Sequence, residues 1–232
     1  MKTIGIGLFL ILFSGKLAAL TCPLDNPGYF CITPEMSPQT PVQLFEFYNI
    51  PNKILSLFSK ELKVKGYPLK LDAQWESPYF GAGMIFHENQ FRMMILGGTT
   101  RVEEMTLDAY AATVCHELGH VLGGAPFQTI PNSQWASAEG QADFFAASIC
   151  LPRYFSMSEK ENTKKIVERV ESAGFEMMMV MAKIETSQNI KFIRHKKDET
   201  KVSETLINNY PSLQCRYENF RNPSIRPACW FK

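Results

Sequence analysis

The 232-residue sequence lacks several features that mark common classes of protein. It has no Cys-x-x-Cys pair, so neither a zinc ribbon nor a thioredoxin-type redox motif is supported. Its 24 basic and 23 acidic residues leave a net charge of only +1, and no long basic run occurs. This balance argues against a protein that binds nucleic acid. Histidine is also scarce, with four in the chain, which makes the spacing of these residues informative.

The sequence has little that could cross a membrane. Its most prominent apolar run, Ile4–Phe13, is far shorter than the about 20 residues that a spanning helix needs. The run follows a positively charged start and precedes Leu17-Ala18-Ala19, an order that predicts a secretory signal peptide over residues 1–19. We therefore expect a secreted or periplasmic protein with no stable membrane span after cleavage. A lipoprotein acylated at Cys22 is the weaker alternative, because the residues before it match a lipobox poorly.

Apolar periodicity predicts a single α+β domain over residues 20–232, since no repeat or interdomain linker occurs. The predicted elements are helices over 42–62 (broken at Pro51), 106–122, 136–149 and within 159–194, and extended chain over 69–97 with a hairpin joining Met84–Phe86 to Phe91–Leu96. We expect a small antiparallel or mixed sheet packed on a helix pair within a core of about residues 42–152. A helical part over 153–232 would follow. Whether residues 22–75 form a pro-segment stays open.

Two of the four histidines occur in the motif His116-Glu117-Leu118-Gly119-His120, within the predicted helix 106–122. Positions four apart lie on one face of a helix, so both imidazoles can reach one ion. Neutral histidine is a favoured zinc ligand. Glu117 points away from that face by about a quarter turn, so it can stand beside water at the metal without binding the metal. The motif predicts a zinc site with Glu117 as general base.

A second acidic motif, Glu139-Gly140-Gln141-Ala142-Asp143, opens the next predicted helix. A catalytic zinc site needs a third protein ligand, and Glu139 is well placed to be that ligand. Asp143 lies one turn further on, where it can accept a hydrogen bond from a ligating histidine. The neighbouring residues are mostly apolar, so two unpaired carboxylates would be costly to bury and we expect a cation or donors near them.

These two helices resemble the active-site pair of gluzincin metallopeptidases, and in particular the M48 and ImmA/IrrE-type peptidases. The resemblance covers roughly residues 90–152 and implies a zincin-like fold. It makes His116, His120 and Glu139 zinc ligands, Glu117 the general base and Asp143 the residue that orients a histidine. The sequence departs from these families at Gln141, which is acidic in M48 proteins. The metzincin pattern is excluded, because Pro126 stands where its third histidine would be.

The resemblance also implies an edge strand that pairs with extended peptide, for which Phe91–Leu96 is the candidate. A donor that stabilises the oxyanion of the transition state is expected as well, and His195 and Tyr210 are the candidates. We therefore expect an exported zinc metallopeptidase that acts on a peptide or protein. The alternatives are a secreted zinc-containing binding or structural domain without turnover, and a zinc amidase acting on a cell-wall substrate.

The six cysteines suggest up to three disulfides in an oxidising compartment, although fifteen pairings are possible. One bond between Cys22 and Cys31 would close the irregular leader. Cys150 lies roughly 16 Å along the helix axis from Glu139, whereas Cys115 adjoins His116. Two antiparallel helices meeting at the zinc would hold these cysteines too far apart, so we expect no bond between them. Cys215 and Cys229 would then pair with the helices or with one another.

Overall fold

The computed structural model describes residue 22 and residues 31–36, 40–159, 162–184, 192–194 and 196–232. The expected signal peptide (residues 1–19) and His195 lie outside these described residues. Within them the chain is α+β, and its elements in order are α1 (Leu44–Leu57), α2 (Ser59–Val64), β1 (Leu69–Gln74), β2 (Ala82–His87), β3 (Gln90–Leu96), α3 (Leu107–Leu122), α4 (Glu139–Phe145), α5 (Leu151–Glu159), α6 (Thr163–Ile184) and α7 (Leu213–Arg221). No helix in this described part is long and apolar enough to cross a membrane.

Helix α1 passes through Pro51, where the sequence predicted a break. Proline has no backbone N–H, so the carbonyl of Phe47, one turn earlier, loses its usual helical partner. The hydroxyl of Tyr110 on α3 donates to that carbonyl instead, at 2.8 Å. Both side chains are buried and their rings stack with centroids 6.1 Å apart. Pro51 therefore frees an acceptor that connects α1 to α3.

The three strands form one mixed sheet in the order β1-β3-β2. The predicted hairpin is confirmed, and its turn residues Glu88 and Asn89 have φ values of 50° and 58°, as a tight two-residue hairpin requires. The prediction that Phe91–Leu96 is the edge strand is wrong. Strand β3 is central because β1 pairs with it in parallel, Leu69 opposite Phe91, on the side away from β2. Among the described residues, the strand next to the helices that has a free edge is β2.

Helices α3 and α4 run antiparallel and approach each other closely. Helix α3 begins after Thr106, whose side-chain oxygen accepts a hydrogen bond from the backbone N–H of Ala109 at 3.0 Å. At Gly119 a Cβ atom would lie 2.7 Å from the carbonyl oxygen of Ala142, so only glycine allows this contact. Helix α4 continues through a π-helical stretch, Ala146–Cys150, directly into α5.

Three disulfides join Cys22 to Cys31, Cys115 to Cys150, and Cys215 to Cys229, a pattern that fits a protein folding in an oxidising compartment. The expectation that Cys115 and Cys150 do not pair is wrong, since their Cα atoms are 5.6 Å apart. The helices cross at Gly119 and Ala142, not at the histidine next to Cys115. From that crossing both cysteines lie in the same direction, and the π-helical stretch alters the rise and facing of the chain before Cys150.

Candidate metal centre

His116, His120 and Glu139 meet between α3 and α4, and each is more than nine-tenths buried. The Nε2 atom of His116 lies 3.2 Å from Oε2 of Glu139, and that of His120 lies 3.7 Å from Oε1. The antiparallel helices bring the first residue of α4 opposite the second half of α3, so these three side chains converge on one point. The three potential ligand atoms all lie within 4.8 Å of one another.

Both histidines are held by hydrogen bonds at Nδ1. His116 Nδ1 lies 2.7 Å from Oδ1 of Asp143, and His120 Nδ1 lies 2.8 Å from the backbone carbonyl of Ser137. A carbonyl oxygen can only accept, so Nδ1 of His120 carries the proton, and a carboxylate imposes the same tautomer on neutral His116. The lone pairs of both neutral imidazoles are then on Nε2, the atoms that face Glu139.

The donor set fits zinc. Zinc bonds to nitrogen and oxygen are about 2.0–2.2 Å, so two ligand atoms of one tetrahedral ion lie about 3.4 Å apart. The 3.2 and 3.7 Å separations around Glu139 bracket this value. In addition, Oε2 of Glu139 is buried and accepts no hydrogen bond of good geometry within the described residues. A cation at the shared point would satisfy that oxygen.

Glu117 is also buried, but it stands outside the group of three potential ligands. Its side chain lines the two cavities that open beside the histidines. Burial raises the pKa of the Glu117 carboxyl, an effect that the charges of His116 and His120 oppose. A carboxylate in this position can exchange protons with a molecule bound in either cavity.

Arg216 on α7 completes the charge balance beneath the histidines, and the sequence interpretation did not identify it. Its Nε and Nη2 atoms donate to the two oxygens of Asp143 at 2.7 and 3.0 Å, and both residues are buried. Burial raises the pKa of Asp143, but the charges of Arg216 and His116 lower it well below its usual range. The cation expected near Asp143 is thus Arg216, and its only sequence signal was the need for such a charge.

The charges within the centre are strongly coupled. Burial lowers the pKa of His116, but the charge of Asp143 and the contacts with Asp143 and Glu139 raise it to about 10. Burial likewise raises the pKa of Glu139, while its contact with His116 and the nearby positive charges lower it to about 2. Without a metal, His116 is therefore protonated and lies between the carboxylates of Asp143 and Glu139. Its positive charge balances the charge of these carboxylates, as a metal cation would.

Tyr210 is the one oxyanion candidate that the described residues include, and it lies in the site. It lines both cavities, and burial of its hydroxyl together with the charge of Glu139 raises its pKa, although the residue as a whole is 67% exposed. The guanidinium of Arg216 lies 5.7 Å from the centre of its ring. Tyr210 can therefore offer a protonated hydroxyl beside the potential metal position. His195 lies outside the described residues.

The cleft that contains these residues runs along the free edge of β2. An open cavity of about 210 Å³ lies on one side of the histidines, where Ala82, Gly83 and Met84 of β2 and Trp135 line it. A more enclosed cavity of about 120 Å³ adjoins it, shares Ala82, His116 and Glu117 with it, and has Phe80 in its wall. An extended chain lying along β2 would pass directly over Glu117 and the histidines.

Chemically, the centre combines a potential metal position, a buried carboxylate beside it, a phenol and a strand edge. These groups suit the addition of water to a carbonyl group in a chain held by its backbone. No protein-family model, curated protein sequence or solved structure matches this chain.

Proposed function

We propose that this chain is an exported zinc metallopeptidase that hydrolyses peptide bonds in a peptide or protein. The observation that carries the proposal is the convergence of His116, His120 and Glu139 on one point, with Glu117 beside that point but outside the ligand group. A site with a purely structural metal has no need for an additional buried carboxylate facing a cavity. Three disulfides support the exported location.

His116, His120 and Glu139 would hold the zinc ion, and Asp143 and Ser137 would fix the orientation of the two imidazoles. When bound, zinc supplies Lewis-acid chemistry: it polarises a carbonyl group and lowers the pKa of water to near neutrality. A His₂Glu ligand set leaves a coordination position for water or substrate, which is the property that distinguishes catalytic zinc from structural zinc.

Glu117 would act as the general base and then as the general acid. Its carboxylate takes a proton from the attacking water and delivers it to the nitrogen of the departing amine. The hydroxyl of Tyr210 would donate a hydrogen bond to the carbonyl oxygen as that oxygen gains negative charge. The free edge of β2 would position the peptide by backbone hydrogen bonds. These roles together suit a zincin-like fold, which we propose for the sheet and the α3–α4 pair.

The decisive experiment compares zinc content and proteolysis in wild type and three variants. In Glu117→Gln we expect full zinc content with hydrolysis of denatured casein reduced by a factor on the order of 10²–10⁴, because only the base is lost. In His120→Ala and Glu139→Ala we expect loss of zinc and of hydrolysis together. Zinc is measured by mass spectrometry of dialysed protein, and hydrolysis by the release of soluble peptides.

Matched controls are available on the surface of the hairpin turn. His87→Ala and Glu88→Gln change the same residue types where the side chains are 74% and 83% exposed, so both variants should keep zinc and activity. Full zinc retention in Glu139→Ala would refute its assignment as third ligand. Equal activity in wild type and Glu117→Gln, with zinc bound in both, would favour a binding domain without turnover. Hydrolysis of cell-wall amides but of no peptide would favour the amidase alternative.

A further inference from the structure

The enclosed cavity beside Glu117 is lined on one side by helix α6, which is not part of the histidine-bearing pair. Its wall there consists of Met177, Val180 and Met181, and the first two are buried. Phe80 and Ala82 close the side next to β2. The cavity shares His116 and Glu117 with the open cavity, so a group bound in it would touch the residues of the candidate metal centre. Its walls away from that centre are predominantly apolar.

The charged groups that line the cavity disfavour a charged occupant. Arg216 lies in the wall, but its guanidinium already makes two hydrogen bonds to Asp143. A lysine or arginine side chain would bring a second positive charge next to that guanidinium, and Glu117, the carboxylate in this wall, already interacts with the positive charges of His116 and Arg216. An acidic side chain would lie against Glu117. In both cases the charge would leave water without full compensation, so the cavity suits an apolar group.

The strand edge fixes which part of a peptide would enter this cavity. Ala82, Gly83 and Met84 line the open cavity, whereas Phe80 and Ala82 line the enclosed one. Antiparallel pairing is the more stable arrangement of two strands, and a peptide paired in this way with β2 would run from Met84 toward Ala82. The enclosed cavity then lies toward the C-terminal end of the bound peptide. The side chain next to it would belong to the residue that supplies the amine of the scissile bond.

The volume of the enclosed cavity sets an upper limit on the size of the side chain that can enter it. The cavity measures about 120 Å³. A protein cavity of about 150 Å³ with apolar walls accommodates benzene, so this cavity is too small for a phenyl ring with its methylene group. A branched or straight aliphatic chain of three or four carbons fits. We propose that the cavity selects leucine, methionine or valine immediately after the cleaved bond and excludes aromatic residues. This inference rests on the proposed peptidase function.

The test is cleavage of a peptide series that differs only in the residue after a single scissile bond. For wild type, kcat/KM with leucine should exceed that with glycine by a factor on the order of 100, and phenylalanine and tryptophan should fall below leucine. Met181→Ala removes part of the wall and should move the preference toward phenylalanine. Met178→Ala is the matched control, because Met178 is buried on the same helix but does not line the cavity. This control should lose stability while keeping the wild-type ranking.

A binding measurement on metal-free protein tests the selectivity of the cavity independently of peptide hydrolysis. Titration with the dipeptide Leu-Ala should shift the ¹³C-methyl resonances of Met177 and Met181 but not that of Met178, and Gly-Ala should shift none of them. Cleavage with equal rates for glycine and leucine, or with a preference for charged residues, would overturn the inference and leave the peptidase proposal standing. Methyl shifts with Leu-Ala but no cleavage of any peptide would overturn the peptidase proposal and still support an aliphatic ligand in the cavity.

Discussion

Asp143 is the residue that connects the candidate ligands to the rest of the protein. It is completely buried and accepts hydrogen bonds from His116 and Arg216. A carboxylate so placed has two effects, because it orients the imidazole and neutralises the buried guanidinium. Its role in orienting a histidine was predicted from the sequence, and the 2.7 Å contact with His116 supplies the geometry for it.

Replacing Asp143 by asparagine should weaken zinc binding by a factor of about 10–100, since an amide neither accepts as strongly from His116 nor fixes its tautomer. The variant should also be less stable by about 3–5 kcal/mol, because Arg216 is left as an unpaired buried charge. Competition with a chromophoric chelator measures zinc affinity, and urea denaturation of the metal-free protein measures stability.

The matched control for this prediction is Asp108→Asn. Asp108 accepts from Nε and Nη2 of Arg169 at 2.7 and 2.8 Å, which reproduces the two-point geometry of the Asp143–Arg216 pair away from the histidines. Both side chains of that pair are partly exposed, so the loss of stability should be at most about 1 kcal/mol. Equal zinc affinities in the two variants would show that Asp143 does not act on the metal centre.

Zinc binding should release about one proton at pH 7. In the metal-free protein the pKa of His116 is about 10, so this imidazole is protonated at neutral pH and must lose its proton before Nε2 can bind a metal. Zinc affinity should therefore rise by up to tenfold for each pH unit between about 7 and 9. Calorimetric titrations in two buffers with different ionisation enthalpies give the proton count. The absence of proton release at pH 7 would contradict this prediction, and Asp143→Asn should reduce the release.

At the scale of elements, the sequence predicted those features of the fold that depend on contacts between neighbouring residues. Thr106 predicted the start of α3, and the run around Glu88 and Asn89 predicted the hairpin, because capping and turn conformations depend on neighbouring residues. The path of α1 through Pro51 was not predictable in the same way. The donor that replaces the missing N–H of Pro51 is the hydroxyl of Tyr110, which lies 63 residues away from Phe47.

Contacts between residues that are far apart in the sequence explain the other differences between the predicted and the observed structure. The hairpin signal gives no information on the strand at its far side, so the parallel pairing of β1 with β3 made the expected edge strand a central one. The disulfide between Cys115 and Cys150 depends on where α3 and α4 cross, and the crossing is set by the small volume of Gly119 against Ala142. Arg216 lies 73 residues from Asp143, with no periodicity linking the two.

The disulfide between Cys115 and Cys150 should stabilise the metal centre as well as the fold. Cys115 precedes His116, and the closed loop spans a sequence separation of 35. The chain-entropy model gives about 4 kcal/mol for a loop of this length. A Cys115→Ala/Cys150→Ala double variant should lose stability of this order in urea denaturation. Its zinc affinity should fall on the order of tenfold, as for other contacts that orient ligands.

The Cys22→Ala/Cys31→Ala double variant is the control for this disulfide. Its bond closes a sequence separation of 9 and adjoins none of the candidate metal-site residues. The loss of stability should therefore be smaller, and zinc affinity should stay at the wild-type value. Unchanged zinc affinity in the Cys115→Ala/Cys150→Ala variant would show that the α3–α4 pair positions the histidines without this bond.

At the scale of the whole molecule, the C-terminal part of the chain packs against the candidate metal centre. Tyr210 and Arg216 come from this part, and so does Trp230, which lies against α4 beneath Gly140. A Cβ atom at Gly140 would lie 2.0 Å from the Trp230 ring, so the indole packs directly on the helix turn that presents Glu139. The disulfide between Cys215 and Cys229 joins the neighbours of Arg216 and Trp230. The candidate site therefore depends on packing between segments about 70–90 residues apart.

Replacement of Trp230 by alanine should disturb both stability and zinc binding. Trp230 is fully buried in a small cluster with Ala138, and its indole N–H donates to the carbonyl of Leu206 at 3.0 Å. Truncation leaves a cavity under α4 and should lower the free energy of unfolding by about 3–5 kcal/mol, as measured by urea denaturation of metal-free protein. Zinc affinity should also fall, because the turn carrying Glu139 loses its support. Phe231→Ala, at the partly buried neighbouring position, should cost less and leave zinc affinity unchanged. A loss below about 1 kcal/mol in Trp230→Ala would mean that α4 is held in place without the C-terminal segment.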